Sequence, residues 1–192
     1  MRSIKPIILG IVVLFAGIAI WLAYSGNPEA VASSEDLVKR GEYLVTIGGC
    51  NDCHTPLKMT AEGPRRDQNW LLAGHPADLK VSDPPYHLMI SSDWSGAFNS
   101  ELTAWAGPWG VSFAANLTPD QVTGIGSWNE QVFIQALRTG KHMGAGRPIL
   151  PPMPWENLSQ VSDEDLRAIF YYLRSLKPVE NMVPPPIPPS SK

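Results

Sequence analysis

The pentapeptide Cys50-Asn51-Asp52-Cys53-His54 combines the residue types and the spacing that carry the most specific chemistry in this sequence. Two thiols three positions apart, with an imidazole directly after the second, form the attachment motif of c-type haem. Each thiol can add across one vinyl group of the porphyrin, and one turn of chain places both along one edge of the macrocycle. His54 then supplies the proximal nitrogen ligand of the iron. The motif predicts one covalent haem c.

Paired cysteines have three other common uses: a redox dithiol, half of a zinc site and a structural disulfide. A thioredoxin-like dithiol requires a βαβ context, which the surrounding sequence does not show. Zinc requires four ligands, whereas the chain has only two cysteines and three further histidines, His75, His87 and His142, each isolated in sequence. Haem attachment is therefore favoured, with His54 as an iron ligand.

The segment RPILPPMPW, residues 147–155, predicts the second axial ligand. Prolines on both sides of Met153 favour a stiff, extended loop that no helix can fill. Such a loop suits a thioether held against iron from the face opposite His54, a ligation that raises the reduction potential. The alternative is that Met153 only fills a gap in the core. Rivals for the sixth coordination position are Met59, Met89, Met143 and His142.

Gly63-Pro64 lies ten residues after His54 and offers a carbonyl for the proximal ring. A ligating histidine usually donates its other ring N–H to a carbonyl, which fixes the tautomer. Pro64 is the candidate acceptor, and the alternative is a plain turn residue.

The composition limits the kinds of partner. The chain has 192 residues, and its 15 basic residues stand against 18 acidic ones, so nucleic acid is not an expected partner. Its 19 prolines predict long connections with few regular elements, and they argue against a sheet-rich fold.

Residues 7–24, IILGIVVLFAGIAIWLAY, form an uncharged run of 18 residues, long enough to approach the hydrocarbon thickness of a membrane. Arg2 and Lys5 precede this run, which predicts a cytoplasmic N-terminus and an exported remainder. The alternative is a signal sequence cleaved after Ala32, because Ala30-Val31-Ala32 resembles a signal-peptidase site. Both interpretations place the haem domain on the periplasmic side of a bacterial inner membrane, as a single-pass protein or, if cleaved, as a soluble one.

Three amphipathic helices are expected around the haem motif. The first starts at Ser33 or Ser34 and runs to about Ile47. The second starts after a capping box at Ser127 and stops at Gly140, and the third follows another capping box that begins at Ser162. The predicted apolar faces are Leu37, Leu44 and Ile47; Val132, Phe133, Ala136 and Leu137; and Leu166, Ile169, Phe170, Leu173 and Leu176.

The terminal helix should dock on the first, where Gly41 would admit an aromatic residue such as Phe170 or Tyr171. Trp128 is expected to cover a haem edge or donate to a haem carboxylate, or else to pack in the core. Residues between about 59 and 109 form a long irregular insertion. The proline-rich tail, VPPPIPPSSK, is a spacer or a ligand for a partner, and disorder is its expected state.

Together these motifs resemble the class I cytochromes c, specifically the cytochrome subunits of bacterial membrane-bound alcohol, aldehyde and gluconate dehydrogenases. The resemblance covers roughly residues 35–180 and rests on CNDCHTP, NLTPDQVTGIGSW, LRTGKHM with GRPILPPMPW, and LSQVSDEDLRAIFYYLRSLKPV. It implies an all-α cytochrome c fold with helices around one covalent haem, Met153 as distal ligand, and Pro64 at the family's Gly-Pro carbonyl position. Subunits of that type usually carry several haem motifs, whereas this chain has one.

The expected organisation has four parts: an anchor or signal sequence at 1–24, a linker at 25–32, a cytochrome domain at 33–180 and a proline-rich tail at 181–192. The favoured function is a membrane-tethered carrier of single electrons, not an enzyme, between a dehydrogenase or quinol-oxidising donor and a respiratory acceptor such as a terminal oxidase. Iron with two protein ligands leaves no position for a substrate. The alternative is a haem enzyme or a gas or peroxide sensor with a labile sixth ligand. In that case His142 and Arg147 would be the distal residues beside the open iron position. A third hypothesis, a fixed subunit of an oxidoreductase complex, differs only in having a permanent partner.

Overall fold

The structure is a computed structural model, and it describes residues 33–84 and 95–189. The predicted anchor and linker, together with His87 and Met89, lie outside these residues. Within the described part of the chain, none of the helices is both long and apolar enough to cross a membrane. The predicted membrane anchor therefore has no counterpart among the described helices.

Five α-helices lie within the described residues: α1 (Ser34–Ile47), α2 (Cys50–His54), α3 (Glu130–Thr139), α4 (Trp155–Leu158) and α5 (Asp163–Ser175). Short 3-10 segments occupy Gln68–Trp70 and His142–Gly144. The three predicted amphipathic helices are confirmed as α1, α3 and α5. Their ends follow local sequence: Ser162 accepts the N–H of Asp165 at the start of α5, and Gly140 ends α3 in the left-handed conformation with φ of 63°.

The prediction of an all-α fold is wrong, because two small antiparallel sheets lie in and directly beside the predicted insertion. In one sheet, β1 (Leu57–Thr60) pairs with β2 (Gly63–Arg66), with Thr60 opposite Gly63. The other has the order β3 (Ala97–Phe98), β4 (Ala104–Gly107) and β5 (Gly110–Phe113). Each strand has four residues or fewer and none shows a clean alternation of buried and exposed positions. The period-2 signal of a half-buried strand is therefore missing from the sequence.

The packing of α1 against α5 forms the main helix contact of the fold, as predicted. A Cβ at Gly41 would lie 2.0 Å from the carbonyl oxygen of Ala168 and 2.7 Å from Cβ of Tyr172. Glycine is required because the two backbones come this close. The residues beside Gly41 are Ala168 and Tyr172, and not the predicted neighbours Phe170 and Tyr171.

The buried face of α1 also differs from the predicted one. Gly41 and Val45 are its buried residues, whereas Ile47 is 62% exposed. Leu44 packs at the edge of the hydrophobic core. Contact with α5 at Gly41 rotates the helix so that the i+4 neighbour Val45, rather than Ile47, faces the core.

A single hydrophobic cluster joins the three long helices to the loop segments between them. Its buried members are Val45, Leu72, Ile125, Phe133, Leu137, Leu166, Ile169, Phe170 and Leu173. Cys50, Trp128 and Met153 are partly buried against it. Residues 150–154, the proline-rich loop that carries Met153, are called the distal loop. The haem motif and the distal loop thus border the same core.

The tail is bound to the domain at Ile187, contrary to the expected disorder. Ile187 pairs with Val111 through two backbone hydrogen bonds of 2.8 and 2.9 Å, which adds one residue to the open edge of β5. Gly110 allows this approach, because its φ is +93° and a Cβ there would lie 2.0 Å from the Ile187 carbonyl oxygen.

Candidate functional site

The Cys50-x-x-Cys53-His54 motif forms the single helical turn α2. Gly49 precedes this turn with φ of 65°, a left-handed conformation that glycine adopts at no steric cost. Both cysteines are free thiols of intermediate exposure, and His54 is buried with 7% exposure. The turn therefore presents two thiols and one imidazole within five residues of chain.

His54 is oriented by a backbone carbonyl that lies just after the last strand of the second sheet. Its Nδ1 lies 2.7 Å from the carbonyl oxygen of Ala115, which can only accept, so Nδ1 carries the proton. Nε2 is then the nitrogen with a free lone pair, as a metal ligand requires. Burial lowers the pKa of His54, which favours the neutral ring that can ligate a metal.

Pro64 does not fill the role predicted for it. It lies in β2 opposite Met59, and the carbonyl on His54 belongs to Ala115, which comes 61 residues after the histidine. Gly63 instead closes the β1–β2 hairpin with φ of +101°. The orienting function is present, but a different residue performs it.

The chain after His54 is fixed by hydrogen bonds on three sides. Thr55 is fully buried; its hydroxyl accepts the N–H of Leu72, and its carbonyl accepts Nη1 of Arg66 at 2.9 Å. The His54 carbonyl accepts the N–H of Gly74 at 2.8 Å. These contacts tie α2 to β2 and to the loop that enters the core, so His54 has a rigid backbone.

Met153 lies partly buried against the core that Cys50 also borders. Its rivals are placed differently: Met59 is 79% exposed and Met143 is 50% exposed. His142 is exposed, and its ring makes an edge contact with Trp128 at a centroid distance of 5.1 Å. The burial of the candidates thus favours Met153.

The other uses of the cysteine pair find no support in the structure. Burial raises the pKa of both Cys50 and Cys53 above the ordinary thiol value. Reactive dithiols have lowered pKa values instead. Among the described residues, no three His, Cys, Asp or Glu side chains come together in a way that could hold a metal ion.

The residues present fit a covalently attached haem. The thiols lie on one turn, and the histidine has one nitrogen engaged and the other available.

Several residues that shape the site gave no sequence signal. Ala115 acts through its carbonyl, which any residue type possesses. Ser112 lies on β5 with 6% exposure and donates its hydroxyl to the Pro151 carbonyl at 2.5 Å. Asn181 is buried and bonds the backbones of Ala73 and His75. Asn181 lies just before the proline-rich stretch, and this context predicts a flexible tail rather than a buried residue with several hydrogen bonds.

The fold and the site together describe a small domain of helices and two short sheets, in which two thiols and a histidine lie on one helical turn. No family model matches the chain. The chain is similar to the cytochrome c subunit of a quinone-type alcohol dehydrogenase from Gluconobacter oxydans, with 28% identity over 86% of this chain and 27% of the relative. It is also similar to the gluconate 2-dehydrogenase cytochrome c subunit of Pantoea cypripedii, with 29% identity over 93% of this chain and 30% of the relative.

A third relative is the fructose dehydrogenase cytochrome subunit of Gluconobacter japonicus, with 26% identity over 94% of this chain and 30% of the relative. The chain spans less than a third of the length of these curated relatives. The similarity confirms the resemblance to the cytochrome c subunits of dehydrogenases. The names of these relatives also support haem c as the cofactor.

Proposed function

We propose that this protein is a monohaem c-type cytochrome that carries single electrons from a dehydrogenase or quinol-oxidising donor to a respiratory acceptor. The observation that carries the proposal is the α2 turn, where Cys50 and Cys53 precede a buried His54 whose Nδ1 is held by Ala115. One haem per chain is proposed because the sequence contains two cysteines. When bound, haem supplies the one-electron redox chemistry, and the protein supplies binding, orientation and electrostatics.

The chain's own residues have positioning roles in this proposal. Cys50 and Cys53 hold the group covalently, and His54 presents Nε2 because its other nitrogen donates to the carbonyl of Ala115. Met153 would also hold the iron, from a loop in which three prolines have no N–H group. With His54 and Met153 both bound to the iron, no position would be left for a substrate.

A comparison of two variants tests this ligand set. We expect oxidised wild-type protein to show the weak sulfur-to-iron absorption band near the red end of the visible spectrum. Met153→Ala should lose this band, whereas Met143→Ala, a matched change at an exposed methionine, should keep it. A wild-type protein that lacks the band, or that is high-spin and binds CO, would contradict the proposal. Haem retained after acid extraction, at one per chain, checks covalent attachment.

We place the haem domain on the periplasmic side of the inner membrane. Support comes from the uncharged residues 7–24 with Arg2 and Lys5 before them. Mass spectrometry of the mature N-terminus distinguishes the two forms of this proposal. A start at Ser33 gives a soluble periplasmic protein, and an intact N-terminus gives a membrane-held one. Accumulation of the haem protein in the cytoplasm would contradict both.

The donor is proposed to be a membrane dehydrogenase, by analogy with the relatives that are dehydrogenase subunits. The test is reduction of the purified holoprotein by membranes supplied with ethanol or gluconate, followed at the visible absorption bands. Membranes supplied with succinate are the control for a quinol donor. Failure of reduction by all three would contradict the proposed position between dehydrogenase or quinol and acceptor.

A further inference from the structure

Strand β5 and the two residues after it contact both segments that carry the axial ligands. The carbonyl of Ala115 accepts Nδ1 of His54 at 2.7 Å. Three residues earlier, the hydroxyl of Ser112 donates to the carbonyl of Pro151 at 2.5 Å, two residues before Met153. One short stretch of extended backbone therefore reaches the proximal histidine at one end and the distal loop at the other.

Strand β5 is hydrogen-bonded on both edges, so its position in the domain is fixed. Trp105 on β4 lies opposite Ser112, and Val111 exchanges two backbone hydrogen bonds with Ile187. The N–H of Ala114 donates to the carbonyl of Thr103 at 2.9 Å, which extends the pairing toward the histidine. Ser112 itself is 6% exposed, and its hydroxyl also lies 3.4 Å from the carbonyl of Trp105.

The distal loop, by contrast, has few ties of its own. Residues 151, 152 and 154 are prolines and have no N–H to donate. Met153 donates to the Leu150 carbonyl at 3.3 Å, and Trp155 donates to the Met153 carbonyl, so both bonds are local. Within the described chain, the hydrogen bond from Ser112 is the one that connects residues 150–154 to a distant element.

We infer that Ser112 is a positioning residue that holds the loop of Met153 in place for iron ligation through its bond to Pro151. This inference rests on the proposed function, since it requires Met153 to be the distal ligand. Without the Ser112 hydroxyl, the distal loop moves more often out of the position in which Met153 can bind the iron. The sixth coordination position is then vacant in a larger fraction of molecules, and an added ligand binds with a higher apparent affinity in proportion to that fraction.

Imidazole binding to the oxidised holoprotein measures this fraction, because imidazole must displace the methionine. A net hydrogen bond of ordinary strength corresponds to about a fivefold change in an equilibrium constant. We expect Ser112→Ala to raise the apparent imidazole affinity about fivefold. Ser112→Val and Ser112→Thr form an isosteric pair that differs by the hydroxyl alone; the valine variant should behave like alanine, and the threonine variant should stay close to wild type. This pair keeps the test valid if alanine folds poorly.

Val111→Ala is the matched control for loosening of the sheet. Val111 is 2% exposed and packs with Ala104 and Ala106, so its truncation weakens the same strand without touching the Pro151 contact. We expect its imidazole affinity to remain within about twofold of wild type. An increase equal to that of Ser112→Ala would overturn the inference, as would equal affinities for the valine and threonine variants.

Failure of the proposed function gives a different result. If Met153 is not the ligand, wild type binds imidazole as tightly as Met153→Ala does. If Met153 is the ligand but Ser112 has no positioning role, Met153→Ala binds tightly while Ser112→Ala matches wild type. Comparison of wild type with Met153→Ala therefore separates the two failures.

Discussion

At the scale of single residues, His75 shows how a histidine can be wholly used by the fold. Its Nε2 donates to the carbonyl of Leu79 at 3.0 Å, so Nδ1 must accept the hydroxyl of Thr103 at 2.9 Å. Thr103 in turn accepts an amide N–H of Asn99 at 3.3 Å. The imidazole is fully buried, and burial lowers its pKa. His75 is therefore a neutral structural residue and no rival for an iron ligand.

This arrangement predicts a pH dependence of stability. The unfolded chain takes up a proton at His75 near pH 6.5, whereas the folded protein does not until a lower pH. The free energy of unfolding should therefore fall as the pH is lowered through about 6.5 toward the lower pKa of the folded state, and His75→Gln should remove part of this slope. Urea unfolding of both holoproteins across this range measures it. Identical slopes would contradict the prediction.

The residue scale also shows what the sequence could and could not predict about the site. Cys50, Cys53 and His54 are recognisable because their chemistry depends on spacing within five residues. The partner of His54 is 61 residues away, and the partner of Pro151 is 39 residues away. A carbonyl acceptor has no residue-type signature, and a serine on a short strand is common. Pro64 was the plausible local choice, but the fold brings Ala115 to that position instead.

At the scale of elements, helix starts and stops can be predicted where the cap is local, although the cap predicted for the second helix is the wrong residue. The predicted box at the second helix begins with Ser127, but Asn129 precedes the first helical residue of α3 and accepts the N–H of Val132 at 2.8 Å. Both residue types make good caps, so sequence alone does not choose between them. The short strands escaped prediction for a different reason, since four residues are too few to display a period.

The corrected cap makes a prediction with an internal control. Asn129→Ala removes the side-chain acceptor of α3 and should lower the free energy of unfolding by about 1 kcal/mol. Ser127→Ala removes the residue that the sequence favoured, yet Ser127 is exposed and outside the helix, so its effect should stay within about 0.5 kcal/mol. Chemical denaturation of the three holoproteins compares them. A larger loss for Ser127→Ala would contradict the assignment of the cap.

At the scale of the whole molecule, Asn181 joins segments that are more than a hundred residues apart. Its Nδ2 donates to the carbonyls of Ala73 and His75, and its Oδ1 accepts the N–H of Ala77 at 2.9 Å. Its backbone N–H donates to the Thr123 hydroxyl. Asn181 is therefore a structural part of the domain, although it lies in the proline-rich tail predicted from residue 181.

Removal of this side chain should be costly. Asn181→Ala leaves three backbone groups without their partner, and two of them, the carbonyls of Ala73 and His75, are buried. At roughly 1–3 kcal/mol for each buried group, we expect a loss of at least about 2 kcal/mol. Met182→Ala, at a neighbouring position that is 61% exposed, should change the stability little. Thermal unfolding of the holoproteins gives the comparison, and hydrogen exchange at residues 73–77 locates the effect. Equal stability of the two variants would contradict a structural role for Asn181.

The pairing of Ile187 with Val111 has a consequence for self-association. An open strand edge is a template on which a strand from another copy can add, and long flat edges lead to aggregates. Here one residue of the same chain occupies the free side of β5. Prolines at 184–186 and 188–189 flank it and have no N–H groups to extend the ladder. The tail thus ends the sheet at this edge and protects the protein against polymerisation through β5.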